Sequence, residues 1–314
     1  MDIALLALAA VWGAVTGLLI PRAAYRFAVE PEEPWRTACP FGHTFTGPLG
    51  GWLGPARCAP CGPRAQTPVP YGDDAGTPDP SNGDHRPADP DPGNGDHCPA
   101  DPDPSNGDHL PADPDPSNGD RRPAALRPPT AGGIPYGPGA LAPAVTVLVC
   151  VALAAATGPR PELLGWLLLA PVAVLLAVVD RRVHRLPDPL TLPLAGAAVL
   201  LLGGAALLPG HAGSWTSALL GGPALGGFYL LLFLINPNGM GFGDVKLALA
   251  LGVALGWYGW AVLFLGGFAG FLFGAVYGLG LVLLRRAGRK TGIPFGPFMI
   301  TGALVGVLLG ASAA

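Results

Sequence analysis

Eight long runs of apolar residues dominate this chain and restrict what it can become. They cover residues 3–20, about 140–157, 163–179, 190–208, 214–235, 245–258, 259–284 and 293–312. Each is near the roughly 17–25 residues that a helix needs to cross a bilayer, the sixth being short and Gly-rich. Charged residues make up only 12% of the chain, against about 25% in a typical soluble domain. The expected fold is therefore an all-α polytopic membrane protein. It has about eight transmembrane helices and one loop insertion between the first and the second. No basic residue precedes the first run, and Arg22 and Arg26 follow it, so it reads as an anchor and not as a cleaved leader. Pro21 and Arg22 are expected to end that helix.

Lys and Arg set the expected orientation. With the N-terminus outside, the inside loops hold Arg22, Arg26, Arg181, Arg182, Arg185, Lys246, Arg285, Arg286, Arg289 and Lys290 close to helix ends. The outside loops hold only Arg160. The positive-inside rule then places both termini outside and the loops at Asp180 and Asp244 in the cytoplasm of a plasma-membrane protein. The net charge of −3 adds little, because charge here is distributed by topology.

The chain divides into four expected parts. Residues 1–20 are the first transmembrane helix, and 30–72 are a small cytoplasmic subdomain with Trp, Phe, Cys and His. Residues 73–131 form a linker, and 140–312 form the main membrane domain. The linker repeats with a period of 12, marked by "NGDH" at Asn82, Asn94 and Asn106 and "NGDR" at Asn118. It offers almost nothing apolar to stack, and Pro and Asn-Gly interrupt every unit, so it reads as a disordered tether and not as a solenoid.

Two charged stretches interrupt the apolar domain. The first, "LLAVVDRRVHRLPDPLTLPL", closes an apolar helix with Asp180, then turns through a polar hairpin stopped by Pro187 and Pro189, with Asp188 inside it. Read alone, Asp180 is an interfacial partner for Arg181 or Arg182. The second, "NPNGMGFGDVKL", places Gly239, Gly241 and Gly243 before Asp244. Read alone, it is a flexible loop with a helix cap. The glycines give the backbone conformations closed to other residues and let another backbone approach. Asp244 then opens the next helix, where a carboxylate suits the positive helix end. Together they put two aspartates at one membrane face. Two nearby carboxylates can share one proton, so that one acts as a base and the other as an acid.

These stretches resemble the type IV prepilin peptidases, membrane aspartic proteases of the Gly-x-Gly-Asp class. The resemblance rests on "VVDRRVHRLPDPLTLPL", on Gly241-Phe242-Gly243-Asp244-Val245-Lys246-Leu247, and on Ile293-Pro294-Phe295-Gly296-Pro297-Phe298 before the last helix. It covers roughly residues 140–312 and the first helix. It implies Asp180 and Asp244 as the catalytic pair, Gly241 and Gly243 as substrate-binding positions, and Asp188 as a hairpin residue outside the pair. It also implies cleavage of prepilin or pseudopilin leaders at the cytoplasmic face. Methylation of the new N-terminus with S-adenosylmethionine rests on the resemblance alone, since no fingerprint for that cofactor stands in the chain. The expected partners are prepilin or pseudopilin substrates and the lipid bilayer, with no nucleic acid. The alternatives are a membrane transporter, whose helices are also broken by glycines and carry acids, or a non-catalytic secretion-system scaffold.

A third cluster lies in the loop. Cys39, His43, Cys58 and Cys61 give Cys-x3-His-x14-Cys-x2-Cys, a ligand set suited to a structural, tetrahedral zinc. Many relatives in the resembled family carry two Cys-x-x-Cys pairs there; here Cys39 and His43 stand in place of the first. The other readings are unrelated cysteines or a Cys58–Cys61 redox pair. Cys98 and Cys150 have no evident role, and His184 reads as a solvated hairpin residue. The composition of the repeat generates a first prediction. Deleting residues 73–131 leaves membrane insertion normal and prepilin processing within a few-fold of wild type, measured by gel shift on co-expression. Complete loss of processing would show that the repeat has a task.

Overall fold

The structure is a computed structural model that describes residues 2–29, 33–39, 42–54, 141–237, 240–284 and 294–314. The repeat, Cys58, Cys61, Cys98, Gly239, and the basic run from Arg285 to Lys290 lie outside the described residues. The described residues all belong to one unit, built from Met1–Pro63 and Gly133–Ala314.

Their regular structure is helical: α1 (Ile3–Phe27), α2 (Pro48–Gly51), α3 (Leu141–Thr157), α4 (Glu162–Val183), α5 (Asp188–Ala206), α6 (Trp215–Ile235), α7 (Phe242–Gly256), α8 (Trp260–Leu283) and α9 (Gly296–Ala313). Among the described residues the only strand-like pairing is one antiparallel bridge between Ala38 and Thr44. The eight expected apolar helices are all present, and α2 is a single short turn. Six of them, α1, α4, α5, α6, α8 and α9, are long and apolar enough to cross a membrane. The chain is a multi-pass, all-helical membrane protein.

The first helix departs from expectation. It does not end at Pro21 but continues to Phe27 with Pro21 inside it. Contacts made by the next two turns support the continuation. Arg22 donates to the carbonyls of Thr46 and Leu53, and Arg26 donates to that of Gly50. The Arg26 guanidinium also lies over the Trp52 ring, 3.8 Å from its centroid. Phe27 packs between Trp35 and Trp52, with ring centroids 5.0 and 4.7 Å away. The described parts of residues 33–54 thus pack onto the end of α1.

Glycines let the long helices meet in pairs. A methyl group at Gly13 of α1 would sit 2.8 Å from the Val147 backbone of α3. One at Gly221 of α6 would sit 3.0 Å from Gly256 of α7, and one at Gly270 of α8 would sit 3.2 Å from Met299 of α9. Without water there is little hydrophobic force between helices in a bilayer, so close van der Waals approach through small residues carries the packing. The α1–α3, α6–α7 and α8–α9 pairs are accordingly the most intimate in the protein. Short α7 lies at the centre, touching α5, α6, α8 and α9, and ten of its 15 residues are buried.

Candidate active site

Four helix ends converge at one end of the bundle: the C-terminus of α4 and the N-termini of α5, α7 and α9. Helix α4 stops at Val183 because His184 takes a left-handed conformation, φ 52°, and its N–H donates to the Asp180 carbonyl at 2.7 Å. Leu186 turns inward and is buried, and Pro187 caps α5. Asp188 is therefore the first residue of α5 and not a member of the free hairpin. It pairs with Lys246 of α7 at 2.6 Å, and the Lys246 ammonium also lies 4.9 Å from the centre of the Phe242 ring.

Asp180, on the last turn of α4, is 4% exposed, and Asp244, in the first turn of α7, is 7% exposed. Carboxylates removed from water this far require hydrogen-bond donors. Among the described residues each has one, and both donors are glycine backbone N–H groups. Gly241 donates to Asp244 Oδ2 at 3.2 Å, closing the first turn of α7 on itself. Gly296, the first residue of α9, donates to Asp180 Oδ2 at 3.0 Å. The second oxygen of each carboxylate makes no hydrogen bond among the described residues. The two aspartates line one cavity of about 570 Å³, with Gly241, Gly243, Leu186 and Phe295 in its wall and Asp188 and Lys246 also on its lining.

Of the two expectations for the glycines of this site, unusual backbone conformation fails and room for a neighbouring backbone holds at Gly243. Gly241 has φ −76°, ordinary for any residue, and Gly243 lies inside α7 with helical geometry. Neither supplies unusual backbone freedom. What Gly243 supplies is space: a methyl there would sit 2.9 Å from Leu186 Cβ and 3.3 Å from the Leu186 carbonyl oxygen. A methyl on Gly241 would meet nothing closer than Asp244 Oδ2 at 3.6 Å. Gly296 is also a matter of space, since a methyl would sit 2.8 Å from Asp180 Oδ2. The Phe-Gly-Pro element was visible in the sequence, but nothing there linked it to Asp180. Lys246 and Leu186 were likewise not assigned a place at the site.

Of the four expected zinc ligands, two are described. The Ala38–Thr44 bridge and a hydrogen bond from the Cys39 N–H to the His43 carbonyl, 2.9 Å, make a tight hairpin closed by Gly42 at φ 83°. It brings Cys39 Sγ to 3.6 Å from His43 Nδ1. Bonds of about 2.3 Å to sulfur and 2.0–2.1 Å to nitrogen at a tetrahedral angle hold two zinc ligands about 3.6 Å apart, so the hairpin fits half of such a set. Among the described residues no group of three or more metal-ligating side chains forms.

Comparison with known proteins places the same stretch of chain. Residues 167–279 match the type IV leader peptidase family. The matched region holds Asp180, Gly241, Gly243 and Asp244. The chain is 37% identical over 177 residues to a prepilin leader peptidase/N-methyltransferase of Aeromonas salmonicida, covering 54% of this chain and 57% of that protein. It is 35% identical over 156 residues to the protein of that name from Pseudomonas aeruginosa, covering 47% of this chain and 48% of the other. With the one from Bacillus subtilis the identity is 31% over 172 residues, 52% of this chain and 65% of the relative. The chain thus spans about half to two-thirds of the length of these relatives. No solved structure matches significantly.

The contrast between two glycines gives a prediction that needs no assay of function. Gly243→Val drives its side chain into Leu186 and destabilises the protein by about 1–3 kcal/mol, the usual cost of overpacking. Gly241→Ala makes only ordinary van der Waals contact, with Asp244 Oδ2 at 3.6 Å, and leaves the melting temperature in detergent close to wild type. Equal melting temperatures for the two variants would show that the start of α7 is not seated against Leu186.

Proposed function

We propose that this protein is a membrane aspartic endopeptidase that removes the leader of type IV prepilins or pseudopilins. The observation that carries the reading is the single cavity lined by two buried aspartates from different helices. Each is held by one backbone N–H and keeps one oxygen without a partner among the described residues. The family match over residues 167–279 and the printed names of the relatives supply the substrate class. Acids at one end of the bundle, and not at its middle, favour a peptidase over a transporter.

In this mechanism one carboxyl of the pair carries a proton and the other is ionised, as two carboxylates sharing one water-poor cavity disfavour double ionisation. The ionised member takes a proton from a water molecule as its oxygen attacks the scissile carbonyl carbon. The protonated member donates to the carbonyl oxygen. Collapse of the tetrahedral species breaks the C–N bond: one hydroxyl returns its proton to the pair as the carbonyl re-forms, and the departing amine takes up a proton from the pair, which restores the starting state. No covalent bond to the enzyme forms. Asp180 and Asp244 are the catalytic residues. Gly241 and Gly243 line the cavity where an extended peptide lies. Gly296 is a positioning residue that fixes which oxygen of Asp180 faces the water.

The cavity opens to the cytoplasm and both termini lie outside, on the strength of Arg185 and Lys246 on its lining and of Arg181 and Arg182 in the last turn of α4. Methylation of the new amine with S-adenosylmethionine extends the reading through the relatives' printed name, and none of the residues named here is placed in that reaction. Cys39, His43, Cys58 and Cys61 hold a zinc ion whose task is to fold a loop too small to keep a core of its own.

Two experiments test this reading. Asp180→Asn and Asp244→Asn each lower prepilin cleavage by at least about 10²–10⁴-fold at matched membrane levels, the range expected for loss of acid–base catalysis. Asp188→Asn retains substantial activity. Near wild-type processing by either dyad variant refutes the two-aspartate mechanism. Elemental analysis of the purified protein finds about one zinc per chain, and the double substitution Cys58→Ser, Cys61→Ser loses it. Metal-free wild-type protein excludes the zinc site.

A further inference from the structure

The aspartate cavity holds an ammonium group that the cleavage steps above do not use. Lys246 lies on its lining with Asp180, His184, Arg185, Asp188 and Asp244. The Lys246 head is fixed from two sides. Asp188 Oδ2, at the start of α5, is 2.6 Å away. The Phe242 ring, one turn earlier on α7, has its centre 4.9 Å away, since residues i and i+4 share a helix face and a cation settles on an aromatic ring. The Lys246 side chain is only 18% exposed. Arg185 also reaches the lining, but it is exposed and enters no ion pair among the described residues. Lys246 is therefore the cation that the fold holds in place at this cavity.

An ammonium carries three donors. One is spent on Asp188, and among the described residues no hydrogen bond spends the others. Lys246 follows Asp244 by two residues, and residues i and i+2 do not face each other on a helix. The ammonium thus stands beside the aspartate pair and not on it. The two carboxylates take their hydrogen bonds from Gly241 and Gly296, so those two N–H groups are closed to a bound peptide. A peptide strand that enters the cavity extended brings carbonyl groups that have given up water and require donors.

We propose that Lys246 is a substrate-binding residue whose ammonium, aimed by Asp188 and the Phe242 ring, donates to a backbone carbonyl of the extended peptide beside the bond to be cut. The inference rests on the peptidase reading of the aspartate pair and extends it to how the strand is held. The kind of acceptor follows from charge. Asp188 already neutralises the ammonium, and the aspartate pair adds negative charge to the same cavity. A carboxylate on the peptide would be repelled there, whereas a neutral carbonyl oxygen gains a charge-assisted hydrogen bond. A backbone acceptor also fits a site that must take the strand by its main chain. Asp188 acts through Lys246 and is a positioning residue: without it the flexible four-carbon stem lets the head leave its place. One fixed donor beside the carboxylates thereby helps to set which peptide bond lies between them.

The test measures cleavage kinetics of the full-length protein in proteoliposomes with a prepilin. Lys246→Met keeps an unbranched apolar stem and removes the donors. It raises KM several-fold while kcat and the melting temperature stay near wild type, the pattern expected when binding common to ground and transition states is lost. Asp188→Asn raises KM less, and adding it to Lys246→Met raises KM no further, because the two act as one unit. A second arm varies the substrate. Prepilin-derived peptides carry an ester, a weaker carbonyl acceptor, in place of one amide at a time around the cut. One such position costs the wild-type protein several-fold in KM and costs Lys246→Met nothing. An unaltered KM in Lys246→Met, additive effects of the two substitutions, or equal ester costs in both proteins at every position overturns the proposal while wild-type cleavage upholds the peptidase reading. Absence of cleavage by the wild-type protein overturns that reading and this proposal together.

Discussion

The rest of this structure depends on holding two carboxylates out of water at one end of an apolar bundle. A buried carboxylate without donors costs several kcal/mol, and few polar side chains are at hand. The protein uses backbone instead. The first N–H groups of a helix have no partner within it and point outward with the positive end of the helix dipole. Asp244 takes one from Gly241 at the start of its own helix, and Asp180 takes one from Gly296 at the start of a helix 116 residues away. For both to happen, α7 and α9 must begin at the level where α4 ends. That requirement explains why α7 is short and central.

Close approach at this site is arranged by leaving atoms out. Gly243 admits Leu186, so the α4–α5 turn can fold down over the start of α7. Gly296 admits the Asp180 carboxylate to its own N–H. The same device operates at the paired helices, where Gly13, Gly221 and Gly270 admit a neighbouring backbone. The Asp188–Lys246 pair works by charge, joining the starts of α5 and α7 at the cavity. Because Asp188 is 59% exposed, the pair contributes little to stability, as exposed ion pairs usually do. Its importance lies in where it stands, on the lining of the cavity.

At the end of α1 another balance operates. Arg22 and Arg26 are held by carbonyls of residues 46–53 and by aromatic faces. Guanidinium groups are weakly hydrated and stack well on rings, which suits them to partial burial where a lysine ammonium would not settle. This arrangement joins the Cys39–His43 hairpin to the first helix. A zinc ion at that hairpin would strengthen a lobe that already has a seat on the bundle.

Much of the fold was legible in the sequence, because the length and apolarity of a membrane helix are local properties. All eight apolar helices stand where the apolar runs lie, and Asp180 and Asp244 stood out because charge inside such runs is rare. Local rules failed at Pro21, which reads as a stop. Contacts of Arg22 and Arg26 to a segment more than 20 residues away carry α1 to Phe27. They held only in part at Gly241 and Gly243: both conformations are ordinary, and only Gly243 makes room for a neighbouring chain, at Leu186. Local rules also placed Asp188 in a free hairpin, whereas its pairing with Lys246 belongs to the start of α5. The amino-acid sequence by itself determined the helices, the acids and the membrane as solvent, since each follows from neighbouring residues. Only the tertiary structure decided which N–H holds which carboxylate and which glycine admits which neighbour. Those are distances between segments far apart in the chain, and no local pattern encodes them.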